Sequence, residues 1–148
     1  MPPDPLAPRV IIGSSFPQIV QDYIHTARTS IDIIIYDWRL YDRQPTNPAA
    51  VFTAALCAAA QRGVRVRALV SSASLLDRLD RMGIKAKVLH SGKIVHAKVM
   101  IIDNSRVILG SHNYTQSAFT ANLEVSLSIL SSSACGELSA YFSRLWGA

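Results

Sequence analysis

Cysteine is scarce in this chain, and Cys57 and Cys135 offer neither CxxC spacing nor a disulfide framework. A disulfide-stapled scaffold and a thiolate metal site are therefore excluded, and both thiols read as small core residues. The four histidines, His25, His90, His96 and His112, show no HExxH or paired-ligand spacing. No cofactor is called for by any motif. The opening Met1-Pro2-Pro3-Asp4-Pro5 lacks the basic and apolar regions of a secretory signal, and no apolar run is long enough to span a bilayer. As written, the chain reads as cytoplasmic and without a membrane span, and as periplasmic or secreted if a leader has been removed. Internal repeats and low-complexity segments are also lacking. Acidic residues are in the minority: ten Asp and Glu face fifteen Lys and Arg, giving +5 and a pI near 9.6. Such a balance favours a polyanionic partner through long-range attraction.

What is present is apolar. Hydrophobic residues make up 49% of 148, with mean hydropathy +0.22. A globular chain this apolar fits a sheet covered on both faces, and its length fits one domain. We expect a flexible segment at 1–8 and a single domain over 9–148. Runs rich in β-branched residues predict strands at 10–12, 31–36, 64–70 and 84–89. Between them, Phe16 to about Thr29, Pro48 to about Arg62 and Leu75 to about Met82 carry helix start and stop signals. Further strands are expected at 95–102, 106–109 and 123–130, the first two joined by the polar turn Asp103-Asn104-Ser105, with a short helix at 114–119 and a final helix reaching about Leu145. The order predicts an α/β fold, a mixed β-sheet sandwiched between helices.

Two stretches of surface have competing readings. The basic residues between Arg62 and Lys93 fit a nucleic-acid footprint and equally a solvated face. The segment 36–45, which leaves a buried strand, mixes Tyr36, Trp38 and Tyr41 with Arg39 and Arg43. The aromatics, Trp38 among them, can stack on bases while the arginines, Arg39 first, meet phosphates. The competing reading is a structural loop anchored in the core by Trp38.

The chemistry gathers downstream. A lone histidine on an apolar strand is more often a hydrogen-bonded core residue than a catalyst, but His96 has Lys98 two positions on. On a strand that spacing sets imidazole and ammonium on one face. Lysine in an apolar run calls for an anionic partner, and a bound phosphate supplies one. Gly110-Ser111-His112-Asn113 leaves the next strand with backbone N–H groups, a hydroxyl and an amide that can point at an anion. Glu124 stands among apolar residues, where pairing with an imidazole N–H would both satisfy it and orient the ring. Asp103 is explained by its turn alone.

His96-Ala97-Lys98, Asp103, Gly110-Ser111-x-Asn113 and Asn122-x-Glu124 together resemble the signature of the phospholipase D superfamily, over nearly the whole chain from Arg9 onward. The single motif copy and the size are most similar to small bacterial endonucleases of that superfamily that work as homodimers. The resemblance implies a metal-independent phosphodiesterase reacting through a covalent phosphohistidine. In that scheme His96 attacks phosphorus, Lys98, Ser111 and Asn113 hold the non-bridging oxygens, Glu124 keeps His96 in the useful tautomer, and Asp103 fixes local geometry. In-line displacement needs a proton donor on the far side of phosphorus, and a two-fold homodimer that sets His96 opposite its symmetry mate supplies one. His90 and His112 are the alternative acids within one chain. The expected substrate is DNA or RNA, cleaved with little sequence preference. The alternatives are a phospholipid-hydrolysing enzyme, a module that binds nucleic acid without turnover, and a nuclease held in check by a partner.

Overall fold

The computed structural model describes all 148 residues. Seven strands, β1 (Arg9–Ile12), β2 (Ser30–Ile35), β3 (Arg65–Val70), β4 (Lys85–Val88), β5 (Val99–Ile102), β6 (Arg106–Gly110) and β7 (Val125–Leu130), form one sheet in the order β1-β7-β6-β5-β2-β3-β4. β2, β3 and β4 run parallel, and every other pairing is antiparallel. The mixed sheet between helices expected from the sequence is the one found.

β2 lies inside the sheet between β5 and β3 with both faces covered, which is why the alternation of Ser30-Ile31-Asp32-Ile33 gives way to the continuous apolar run Ile33-Ile34-Ile35. α1 (Phe16–Thr26) and α2 (Pro48–Gln61) pack on one face together with α3 (Leu76–Arg81) and α4 (Gln116–Thr120). Phe16, Val20 and Ile24 of α1 and Phe52, Leu56 and Ala59 of α2 meet Ile31, Ile33, Val66, Met100 and Ile108 in the main core. α2 starts where Asn47 accepts the Ala49 N–H at 2.9 Å with Pro48 in the first turn, and it stops before Gly63.

The other face has a single cover, α5 (Ser132–Trp146). Phe142 packs on Ile34 and Leu69, and Cys135 on Ile101 and Val107. Asp32 is buried on this side by the Arg67 guanidinium, whose two bonds to the carboxylate measure 2.8 and 2.9 Å and whose face lies over Phe142 and Trp146. α5 leaves the far strands uncovered. Val10, Ile12, Val125 and Leu109 share its face by register, and they stay 57%, 66%, 56% and 38% exposed.

β7 starts at Val125 rather than 123 and the short helix at Gln116 rather than 114, and two further boundaries differ for reasons of long-range packing. α1 ends at Thr26 rather than near Thr29, because the Asp103 carboxylate captures the N–H groups of Arg28, Thr29 and Ser30 at 2.8–3.1 Å and draws the chain into an extended approach to β2. The strand expected over 95–102 begins only at Val99. From β4, at one border of the sheet, the chain must pass β3 and β2 to reach β5, three strand spacings or roughly 14 Å. Residues 89–98 make that crossing and so stand outside the ladder.

Candidate active site

The strand directions bring the motif together. The carboxyl ends of β1, β2, β3, β4 and β6 and the amino ends of β5 and β7 lie along one end of the sheet. His96, Lys98, Ser111, Asn113 and Glu124 all emerge there.

His96 is exposed at the close of the crossing segment. The Lys98 ammonium lies 3.4 Å from its Nδ1 and 3.5 Å from its Nε2, and donates to the His96 carbonyl at 2.9 Å. The side-by-side placement expected of a strand is thus kept by a segment that is not one. No carboxylate lies within ion-pair distance of Lys98, so its charge is open to an incoming anion. Tyr36 supports both groups: its ring centroid is 4.8 Å from that of His96, and the Lys98 Nζ stands 5.4 Å from the same centroid, a cation–π distance.

Gly110 continues the row in which Lys98 and Ser126 are neighbours. A Cβ there would lie 2.4 Å from the Ser126 Cα, so only glycine permits this approach of β6 to β7. The close contact sets the exposed Ser111 beside β7, where its N–H donates to the Val125 carbonyl at 3.0 Å. The Asn113 Oδ1 accepts the Asp37 N–H at 3.1 Å, which fixes the amide and leaves its NH2 group unengaged. Asp37 in turn holds the exposed Arg39 guanidinium at 3.3 Å. Arg39 thus borders the site.

Three expectations need correction, for Glu124, Trp38 and His112, and Asp103 lies away from the site. Glu124 is neither buried nor paired with His96: Ser111 donates to one carboxylate oxygen and Asn122 to the other, and its neighbours Leu123 and Val125 are exposed. Trp38 does not present a base-stacking face, being 3% exposed with its indole N–H donated to Thr53 Oγ1 at 2.9 Å and its ring packed on Tyr114. The loop is anchored by it. Asp103 sits at the opposite end of β5 from Lys98, so it reaches the site only through the fold. Burial pushes its carboxyl up, but the N–H groups of Thr29, Ser30 and Arg28 and the Thr29 hydroxyl outweigh this and hold it below the ordinary range. His112 is buried, stacked on Phe16 at 4.2 Å, with Nδ1 2.7 Å from Ser126 Oγ and Nε2 2.9 Å from the Gly13 carbonyl. Both nitrogens are occupied, which removes it as an acid toward substrate.

Beside His96 a cleft of about 540 Å3 opens between the crossing segment and the ends of β2, β3 and β4. Sequence reading missed it because its two walls are far apart in the chain. The one local sign is the polar break His90-Ser91-Gly92-Lys93 within an otherwise apolar stretch. No three His, Cys, Asp or Glu side chains gather where they could hold a metal ion, and no helix is long and apolar enough to cross a membrane.

Comparison with known proteins agrees with this arrangement. A family model described as cardiolipin synthase, phospholipase D-like domain, matches residues 20–146. A phospholipase D of Rickettsia bellii is 34% identical over 113 residues, covering 72% of this chain and 52% of the relative. The virion nicking-joining enzyme of vaccinia virus (strain Western Reserve) is 24% identical over 135 residues, 85% of this chain and 32% of the relative. The chain thus spans about half or less of the curated relatives it matches. Among solved structures, the phospholipase D family member Nuc from Salmonella typhimurium superposes with a TM-score of 0.79 at 26% identity, covering 95% of each chain. NucT from Helicobacter pylori gives 0.79 at 22%, covering 95% and 96%, a likeness of fold. With the motif gathered at one end of the sheet and the family match running from α1 to α5, this chain belongs to the phospholipase D superfamily.

Proposed function

We propose that the protein is a phosphodiesterase that cleaves nucleic acid with little sequence preference, through a phosphohistidine and without a metal ion, in a homodimeric site. The observation that carries this reading is the exposed imidazole of His96 with an ammonium free of carboxylates at 3.4 Å. A phosphodiester entering there meets nucleophile and cation together. Net charge of +5 favours a polyanion, and phosphate contacts carry most of non-specific nucleic-acid affinity. A relative named as a nicking-joining enzyme points the same way.

In the first step the neutral His96 ring gives its electron pair to phosphorus and the bond to the leaving oxygen breaks, while His96 of the partner subunit passes a proton to that oxygen. Lys98 and the Asn113 NH2 group hold the non-bridging oxygens as charge moves onto them, and the Ser111 hydroxyl, whose proton is given to Glu124 here, joins them only by turning that proton from the carboxylate to the phosphate. In the second step a water attacks phosphorus, the same partner imidazole takes its proton, and the nitrogen–phosphorus bond breaks to free His96. The uncovered apolar residues Ile12, Leu109 and Val125 lie at the site end of the sheet. A two-fold contact there would bring two copies of the site face to face.

The test is hydrolysis of plasmid DNA, RNA, a generic diester and anionic vesicles in excess chelator, beside His96→Ala. Chelator-resistant cleavage of the diester and at least one nucleic acid, abolished by the substitution, is expected. The cardiolipin synthase description of the family and the phospholipase D relatives favour a second reading, a lipid hydrolase. Turnover of vesicles alone would establish it in place of the first.

A further inference from the structure

We propose that the cleft beside His96 is a base subsite, which takes one unpaired nucleobase next to the scissile phosphate and so makes single-stranded nucleic acid the preferred substrate. The inference rests on the nuclease reading above. Position is the first argument. Tyr36 forms part of the cleft wall while its ring packs against His96, so a group bound in the cleft lies next to the imidazole that attacks. Tyr36 is 39% exposed, so part of this aromatic side chain is reachable by an incoming base.

Chemistry is the second. Val88, Leu89 and Val95 give apolar surface, and Asp37, Ser71 and Lys93 add polar groups. An acyl chain would strip water from those polar groups and return no hydrogen bonds. A second phosphate would meet the Asp37 carboxylate, a like charge. A neutral heteroaromatic ring with donors on its border suits both: its faces lie against Tyr36 and the valines, and an exocyclic amine can donate to the Asp37 oxygen that Arg39 does not hold. Lys93, exposed, remains for the next phosphate along the strand.

Shape is the third. Residues 89 and 93–95 of the crossing segment form one wall and the ends of β2, β3 and β4 the other, so the cleft is a groove between two walls. A paired base, stacked above and below, presents only its edge and cannot enter without leaving the helix. An unpaired base enters at little cost.

Two measurements test this on the full chain. In the first, His96→Ala protein is irradiated with a short oligonucleotide carrying one iodouracil, as a single strand and as a duplex. Cross-links on Tyr36 or within 88–95 from the single strand, and none from the duplex, are expected. In the second, the wild type is compared with Tyr36→Phe, Tyr36→Ala and Val88→Trp on both forms of DNA. Tyr36→Phe should keep the single-strand preference. Tyr36→Ala should raise the single-strand KM by about tenfold, and Val88→Trp should erase the preference by filling the groove. Equal cleavage of both forms with cross-links elsewhere would overturn the subsite and leave the nuclease standing. Hydrolysis of phosphatidylglycerol vesicles with no cleavage of nucleic acid would overturn both.

Discussion

His112 shows how a residue inside a catalytic signature can serve the fold. Burial pushes its imidazole below the ordinary value of 6.5, against the Gly13 carbonyl and Glu124, which pull it up. The unfolded chain therefore takes up the proton more readily than the native one. Stability held above the ordinary value must then fall as pH drops through it toward the lower native value. Thermal melts between about pH 7 and pH 5 should show Tm falling with acid in the wild type, and a flatter dependence in His112→Gln. A variant with an unchanged slope would assign the titration elsewhere. Gly110, two positions earlier, answers to packing in the same way, through Ser126. Lys98 and His96 were legible in the sequence because their pairing is local. Trp38 was left with two readings, because the partner of its indole, Thr53, lies on α2 and decides between them only in the fold.

Among the elements, the strongest long-range tie at the loops is the turn between β5 and β6. Asp103 and Asn104 both adopt positive φ, 53° and 51°, which these two residue types tolerate. From there the Asp103 carboxylate binds three consecutive N–H groups and the Thr29 hydroxyl. Removing an ionised acceptor that serves several donors costs on the order of 2 kcal/mol or more. Asp103→Ala should therefore lower Tm by several degrees while the site end keeps its geometry, and urea unfolding measures the loss. Because the native carboxyl is held low, the difference between variant and wild type should shrink as pH falls below the ordinary carboxylate range. The same tie explains what sequence reading could not place. The stop of α1 at Thr26 is set by a residue over seventy positions away, and the late start of β5 by the need to cross two strands. Helix signals at Asn47-Pro48 and Gly63 and the β-branched runs of β2 and β3 depend only on neighbours, so those elements were legible almost to the residue.

At the scale of the whole molecule, one face of the sheet carries four helices and the other carries one. Val10, Ile12, Leu109 and Val125 are left exposed together, beside the fully exposed Leu123. An exposed group of apolar residues of this kind is a common signature of an interaction surface. If that surface closes the proposed homodimer, Val125→Glu should shift sedimentation from dimer to monomer and abolish cleavage while the far-ultraviolet circular dichroism stays native. An active monomer would sink the paired-histidine scheme. Sequence alternation foretold the sheet and its covering, yet not which strands would stay bare, since that follows from the length and path of α5. The placement of Asp103 and His96 at opposite ends of the sheet has a last consequence. The Asp103 tie and the proposed reacting imidazole are physically separate, so the usual trade-off between robustness and turnover is relaxed at that tie, which can be tuned with the site end left alone.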